Sequence, residues 1–272
     1  MTRAGLAGRV RPPSPAAAAP GRPPLRRTAR LVVARVTVMV ALLAVVQAGV
    51  QTRVINPLFV ARPTTALAGA ARGLANGSLG GPMLVTLYEV AASLVISGAA
   101  GLGLGYLLWR FNALGRAYEP WVAGLFAAPL ILLYPIPLVI FGRTTTAVIA
   151  QASVMAVLPV ILYTRQGLAG IEPQLLKVAA VYRLSRWQGL RHVFAPAAAP
   201  TLATGLRLGL TYVLVGVISM EYLASIGGLG KTINFAYLQF DMAQVYSAVV
   251  LVFVLAGALL ALVGRLQWMV RR

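Results

Sequence analysis

The 272-residue chain has no cysteine, a single histidine (His192) and only five acidic side chains: Glu89, Glu119, Glu172, Glu221 and Asp241. Without cysteine there are no disulfides, thiol nucleophiles or Cys-ligated metals. One histidine and five acids leave too little material for a Ser-His-Asp triad or a catalytic metal, so a soluble enzyme is excluded and no cofactor or metal is expected. Charge is scarce as well: 11% of residues are charged against 59% hydrophobic, and the mean hydropathy is +0.82. That balance does not fit a water-soluble globule and belongs in a bilayer.

What charge there is has one sign, with 24 basic residues and a net charge of +19. Nucleic-acid binding would need those cations along one folded face. They flank apolar runs instead, which argues against nucleic acid and for membrane lipid as the surroundings. Residues 1–30 are the exception in composition, rich in Pro, Ala and Arg, and they bury no core and keep no helical register. The expectation there is a disordered cytoplasmic tail ahead of a membrane domain at 31–272. Arg26-Arg27 before an apolar run superficially suggests a secretory signal, but Arg35 interrupts that run and no small-x-small cleavage site follows. An uncleaved first span is expected.

Only a helix or a closed barrel satisfies every backbone group in lipid, and a spanning helix needs roughly 20 apolar residues. Six stretches qualify: 31–51, 83–109, 120–141, 145–164, 200–222 and 243–264. None alternates with the period of a barrel strand, so the fold class is all-α and polytopic. The second stretch carries Gly98, Gly101, Gly103 and Gly105 for close helix contact. The third contains Pro129, Pro135 and Pro137, whose freed backbone groups require a protein-lined or water-lined interior. With both termini cytoplasmic, nineteen Lys and Arg fall on the cytoplasmic side and five (Arg53, Arg62, Arg72, Arg143, Lys231) on the other. This bias sets the orientation in a cell or inner membrane and puts the long 165–199 connection in the cytoplasm.

That connection is too polar to span. Glu172-Pro173 is a helix start, where a missing N–H is harmless and an acid suits the dipole. Leu175, Leu176, Ala179 and Tyr182 then share one helical face. Ser185-Arg186-Trp187-Gln188 is a Ser-x-x-Gln capping box that opens a second helix, expected to end by Pro196. Two short amphipathic helices with a break near Arg183 either rest on lipid headgroups or dock a cytoplasmic partner.

Residues from about 80 to 270 resemble the permease subunits of ABC importers of the nitrate/sulfonate/taurine type. In that family the signature runs Glu-Ala-Ala, three variable residues, Gly, and a spacer to Leu-Pro. Here the stretch from Lys177 through Gln188 and on to Pro196 is similar to it. Ala179, Ser185, Arg186, Trp187, Gln188 and Pro196 match, whereas Lys177, Arg183 and Ala195 replace the Glu, Gly and Leu. Pro135–Gly142, Leu158–Thr164, Gly205–Leu208, Glu221–Ala224 and Gly228–Gly230 resemble further family segments in order and spacing. The resemblance implies six spans with a coupling element at 172–194, between the fourth and fifth. Its contact residues would be Lys177, Ala179, Tyr182, Arg183, Ser185, Arg186, Trp187 and Gln188. The implied partners are ABC ATPase subunits, a second permease chain in a homodimer or heterodimer, and an extracytoplasmic substrate-binding protein. ATP hydrolysis would then reside in a partner, and a small solute would move inward. A secondary transporter is the competing reading, but it calls for internal repeats that the two halves do not show.

Three further signals remain. Gly230-Lys231-Thr232 ends like a phosphate-binding loop, but Ser225 stands where the first glycine belongs and a membrane span precedes it in place of a strand. It is read as coincidence, its glycines letting the chain turn or re-enter. Glu89 and Glu221 are intramembrane acids, costly unless they face protein or water. Glu89 is expected to pair inside the bundle, with an arginine as candidate partner, and Glu221 to sit shallow and solvated. Trp109, Trp121, Trp187 and Trp268 are expected to anchor at the interface.

Overall fold

A computed structural model describes residues 25–182 and 184–270, and among them every regular element is helical. The order is α1 (Leu25–Gln51), α2 (Pro63–Ala75), α3 (Gly80–Arg110), α4 (Asn112–Ala127), α5 (Pro135–Phe141), α6 (Thr145–Ala169), α7 (Pro173–Val181), α8 (Arg186–Gly189), α9 (Ala195–Ala224), α10 (Gly228–Leu238) and α11 (Met242–Val270). Five helices (α1, α3, α6, α9 and α11) are long and apolar enough to cross a membrane, and they contain five of the six expected spans. Residues 1–24 of the expected tail lie outside the described residues.

The sixth stretch, 120–141, is not one helix. It divides into α4 and α5, bent by 87°. The cause is local: Pro129 disfavours the helical region for the residue before it, and Ala128 is extended at ψ 148°. A single 3₁₀ turn, Leu130–Leu133, bridges the break before Pro135 opens α5 at a position where no N–H is needed. The freed carbonyl of Leu130 accepts a 2.8 Å hydrogen bond from Nε2 of the buried Gln151 on α6. A protein-lined interior thus answers the backbone group that the prolines release.

α6 is the most buried span and lies between α3 and α9. Lipid tails are as apolar as leucine, so helices associate in a bilayer by close packing more than by escape from water. The sequence provides this through small residues. Gly101 and Gly105 of α3 meet Val160 and Thr164 of α6, and Gly216 of α9 meets Ala152. A Cβ at Gly101 would stand 2.5 Å from Val160 Cβ, too close for any side chain. Not every glycine expected to serve this way does so, since Gly103 faces open space. The core between these spans is built from Val90, Val148, Ala152, Leu210, Val213 and Val217. Away from it, α1 presents Val38, Leu42 and Val45 outward, the distribution of a span that faces lipid or another chain.

Two short helices, α2 and α10, lie between the expected spans, both at the end where α3 and α11 begin. α2 packs on α11 around Ala70 and Ala248, and Leu229 of α10 is fully buried in the same cluster. α7 and α8 lie at the opposite end, between α6 and α9.

Candidate functional site

The 172–194 segment forms much as its start signals dictate. α7 begins at Pro173, with Leu175 N–H donating to the Glu172 carbonyl at 3.0 Å. The capping box is present in both directions: Ser185 N–H donates to Gln188 Oε1 at 2.9 Å and Gln188 N–H to Ser185 Oγ at 3.3 Å. His192 Nδ1 lies 3.1 Å from the Gln188 carbonyl in an exposed position. The expectation that the second helix ends by Pro196 is wrong. α8 passes through a π turn, Leu190–Phe194, directly into α9, and Pro196 sits in its first turn. Proline lacks an N–H to return to the fourth residue back, and a locally wider turn accommodates that loss without ending the helix.

This continuity matters because the segment is rigidly tied to the spans at one edge and bare at the other. Phe194 stands edge-on to Trp109 of α3, with ring centroids 5.8 Å apart, and the Tyr106 ring lies 5.7 Å from Trp109. Leu168, Ile171 and Ala198 are buried beside them. Trp109 is therefore half-buried in a junction instead of serving only as an interfacial anchor. At the bare edge, Val181, Tyr182 and Trp187 are 79%, 74% and 70% exposed, so the chain leaves its largest apolar side chains there uncovered. Lys177, Ser185 and Gln188 are exposed beside them. Ala179 and Arg186 belong to α7 and α8, but their side chains, like the whole of Arg183, lie outside the described residues.

At the opposite end of the bundle the two intramembrane acids come together. Glu89 of α3 and Glu221 of α9 are both fully buried. Glu221 is not solvated as expected: its Oε2 accepts the Gly230 N–H at 2.7 Å, and its Oε1 accepts the Thr86 hydroxyl at 2.7 Å. Thr86 Oγ1 in turn accepts the Leu229 N–H at 2.9 Å. The N-terminus of α10 is thus aimed at a carboxylate within the same chain, the charge that a helix start favours. This explains the glycines. Gly227 and Gly228 have φ of +50° and +61°, a Cβ at Gly228 would overlap the Glu221 carboxylate, and one at Gly230 would stand 2.6 Å from Glu221 Cβ. The first amide of the Gly230-Lys231-Thr232 stretch is therefore given to Glu221.

Glu89 does not find the arginine expected for it. Its carboxyl faces the Glu221 carboxyl and the Thr145 hydroxyl, yet neither oxygen has a hydrogen-bond partner among the described residues. Arginines act elsewhere. Arg143 donates at 2.6 Å to the Ala224 carbonyl at the C-terminus of α9, the end of a helix that suits a cation. Arg165 of α6 pairs with Glu119 of α4 near the α7–α8 end.

A bundle of this kind, with five long apolar helices, a proline-broken span and a short helix pair outside the spans, defines a polytopic membrane protein. Residues 97–270 match the model of the binding-protein-dependent transport system inner membrane component, and the chain belongs to that family of transporter permeases. It is 31% identical to the riboflavin transport system permease protein RibX of Chloroflexus aurantiacus, over 57% of this chain and 58% of the relative. To the nitrate import permease protein NrtB of Synechococcus elongatus it is 27% identical, over 61% of this chain and 59% of the relative. The match thus spans under two thirds of the length of either relative. The fold is similar to that of a chain from the inward-facing MetNI methionine ABC transporter, with a TM-score of 0.62, 22% identity, and 70% of this chain and 94% of that one covered.

Proposed function

We propose that the chain is the membrane-spanning subunit of an ABC importer that moves a small solute inward. The cargo would be nitrate-like, sulfonate-like, taurine-like or another small organic molecule, with ATP hydrolysed by separate subunits. The observation that carries this reading is the 172–194 element. It offers an exposed apolar edge (Val181, Tyr182, Trp187) to a partner, while its other edge is bonded to α3 through Phe194 and Trp109 and is continuous with α9. A push on the exposed edge therefore reaches two spans at once. Relatives named for riboflavin transport and nitrate import support the transport role.

On this reading both termini are cytoplasmic, as the basic residues bias them. A second permease chain covers part of the exposed apolar face, and an extracytoplasmic binding protein delivers the cargo to the α2–α10 end. Residues 1–24 are the cytoplasmic tail, and residues 25–30, expected to belong to it, instead open α1. Lys177, Ala179, Tyr182, Arg183, Ser185, Arg186, Trp187 and Gln188 contact the ATPase. A buried aromatic anchor at an interface commonly contributes 2 kcal/mol or more, a loss of about thirtyfold in affinity on truncation. Trp187→Ala should accordingly reduce co-purification of the ATPase subunits while the spans remain inserted. Undiminished ATPase recovery with Trp187→Ala would remove the docking role from this edge.

A further inference from the structure

We infer that Glu89 and Glu221 together form a buried one-proton site: Glu221 is the ionised member, Glu89 carries the proton, and the pair clasps α10 against α3 and α9. The inference rests on hydrogen-bond accounting and is independent of the coupling role proposed for 172–194. Both Glu221 oxygens are acceptors: Oε2 takes the Gly230 N–H, which can only donate, and Oε1 takes the proton of the Thr86 hydroxyl, whose oxygen receives the Leu229 N–H. That leaves the carboxylate with spare lone pairs on the side facing Glu89. Glu89 is fully buried with both oxygens unpartnered. As a second anion it would be an unpaired buried charge beside a like charge, the most costly arrangement available to it. As a neutral acid it has one O–H to give, and the Glu221 carboxylate is the charged acceptor that faces it.

Among the described residues no other charge competes for the role. The groups facing the pair are the Thr86 hydroxyl from α3, the Thr145 hydroxyl from α6 and the amides of Leu229 and Gly230 from α10. Lys231 of α10 is exposed, and Arg143 is engaged with the Ala224 carbonyl. The cation the pair holds is therefore a proton, since no cation among the described residues takes its place.

The two members should respond differently to the same substitution. Glu89→Gln retains a neutral donor of similar shape and is tolerated. Glu221→Gln turns an acceptor oxygen into a donor facing Thr86 or Gly230 and removes a charge from the α10 N-terminus. The chain lacks cysteine, so Ala236→Cys, at a fully buried position on α10, reports detachment of that helix through its labelling rate with a soluble maleimide. The full chain, in lipid nanodiscs with the subunits that accompany it, is to be examined by this labelling and by infrared spectroscopy. The expected result is a protonated-carboxyl C=O band that disappears in Glu89→Gln, with labelling within about twofold of the parent. In Glu221→Gln labelling should accelerate about tenfold, the factor for loss of one hydrogen bond to a charged group. A missing band, a band unaffected by Glu89→Gln, or equal tolerance of the two glutamines would overturn the inference. So would a band absent throughout with labelling slowed by sodium, which would make the occupant a metal cation.

Discussion

On the proposed reading Phe194 carries force from the short helices to α3, beside the direct continuity with α9, and its removal tests that route without touching the exposed docking edge. The ring is half-buried, stands 5.8 Å from Trp109 and closes the junction formed by Leu168, Ile171 and Ala198. A fully buried phenylalanine truncated to alanine costs roughly 3–5 kcal/mol, and an edge-on aromatic pair adds about 0.5–1.5 kcal/mol to the area it buries. For a half-buried ring, about 2 kcal/mol follows, which is roughly thirtyfold in an opening equilibrium. Hydrogen exchange of the full chain in nanodiscs reads this directly. Phe194→Ala should raise exchange across 186–194 by about that factor while the middle of α9, around the fully buried Val213 and Val217, stays protected. Phe194→Leu should restore part of the protection by refilling volume. Trp109→Ala should be non-additive with Phe194→Ala, as expected for two residues in contact. ATPase subunits should still co-purify, because Val181, Tyr182 and Trp187 are untouched, but hydrolysis should no longer drive import. Unchanged exchange over 186–194, or additive effects of the two alanines, would refute the junction as the mechanical link.

Lys177→Glu, which restores the acid that the family signature carries, should strengthen ATPase co-purification if the partner groove still suits a carboxylate and weaken it if the groove has become acidic; an unchanged yield would place Lys177 outside the contact. Single cysteines near Arg62 and Lys231 should label from outside intact cells and one near Arg183 should not, and outside labelling near Arg183 would reverse the orientation. Gln151→Leu should strand the Leu130 carbonyl at the α4–α5 break, destabilising the protein by roughly 1–3 kcal/mol in a thermal or denaturant unfolding series. Wild-type stability would show that this hydrogen bond does not hold the break.

What could be read from the sequence, and what could not, divides along the range of the interactions involved. The five continuous spans follow from apolar length, and the starts at Pro173 and Ser185 from chemistry within four residues, which is why both are visible in a single chain. The 120–141 stretch misleads because length and hydropathy do not register direction. Its prolines were read correctly as freeing backbone groups, but whether a helix kinks or breaks depends on a partner such as Gln151, on another helix. Pro196 misleads in the opposite sense, since a π turn lets the chain carry a proline that would ordinarily mark a stop. The acids are the clearest case. Glu221 and Glu89 stand 132 positions apart, and Thr86, which orders their cluster, carries no signal of its own. The one local hint was the glycine run at 227, 228 and 230, readable as a turn. Its use becomes apparent only when a missing Cβ at 228 is seen to leave room for a carboxylate seven residues earlier. A phosphate-loop pattern and an internal carboxylate cradle draw on the same physics, glycines at a helix start that expose N–H groups to an anion. Glycines that the sequence assigns only to a turn or re-entry thus also bare an amide, and the fold determines that the anion it meets belongs to the protein itself.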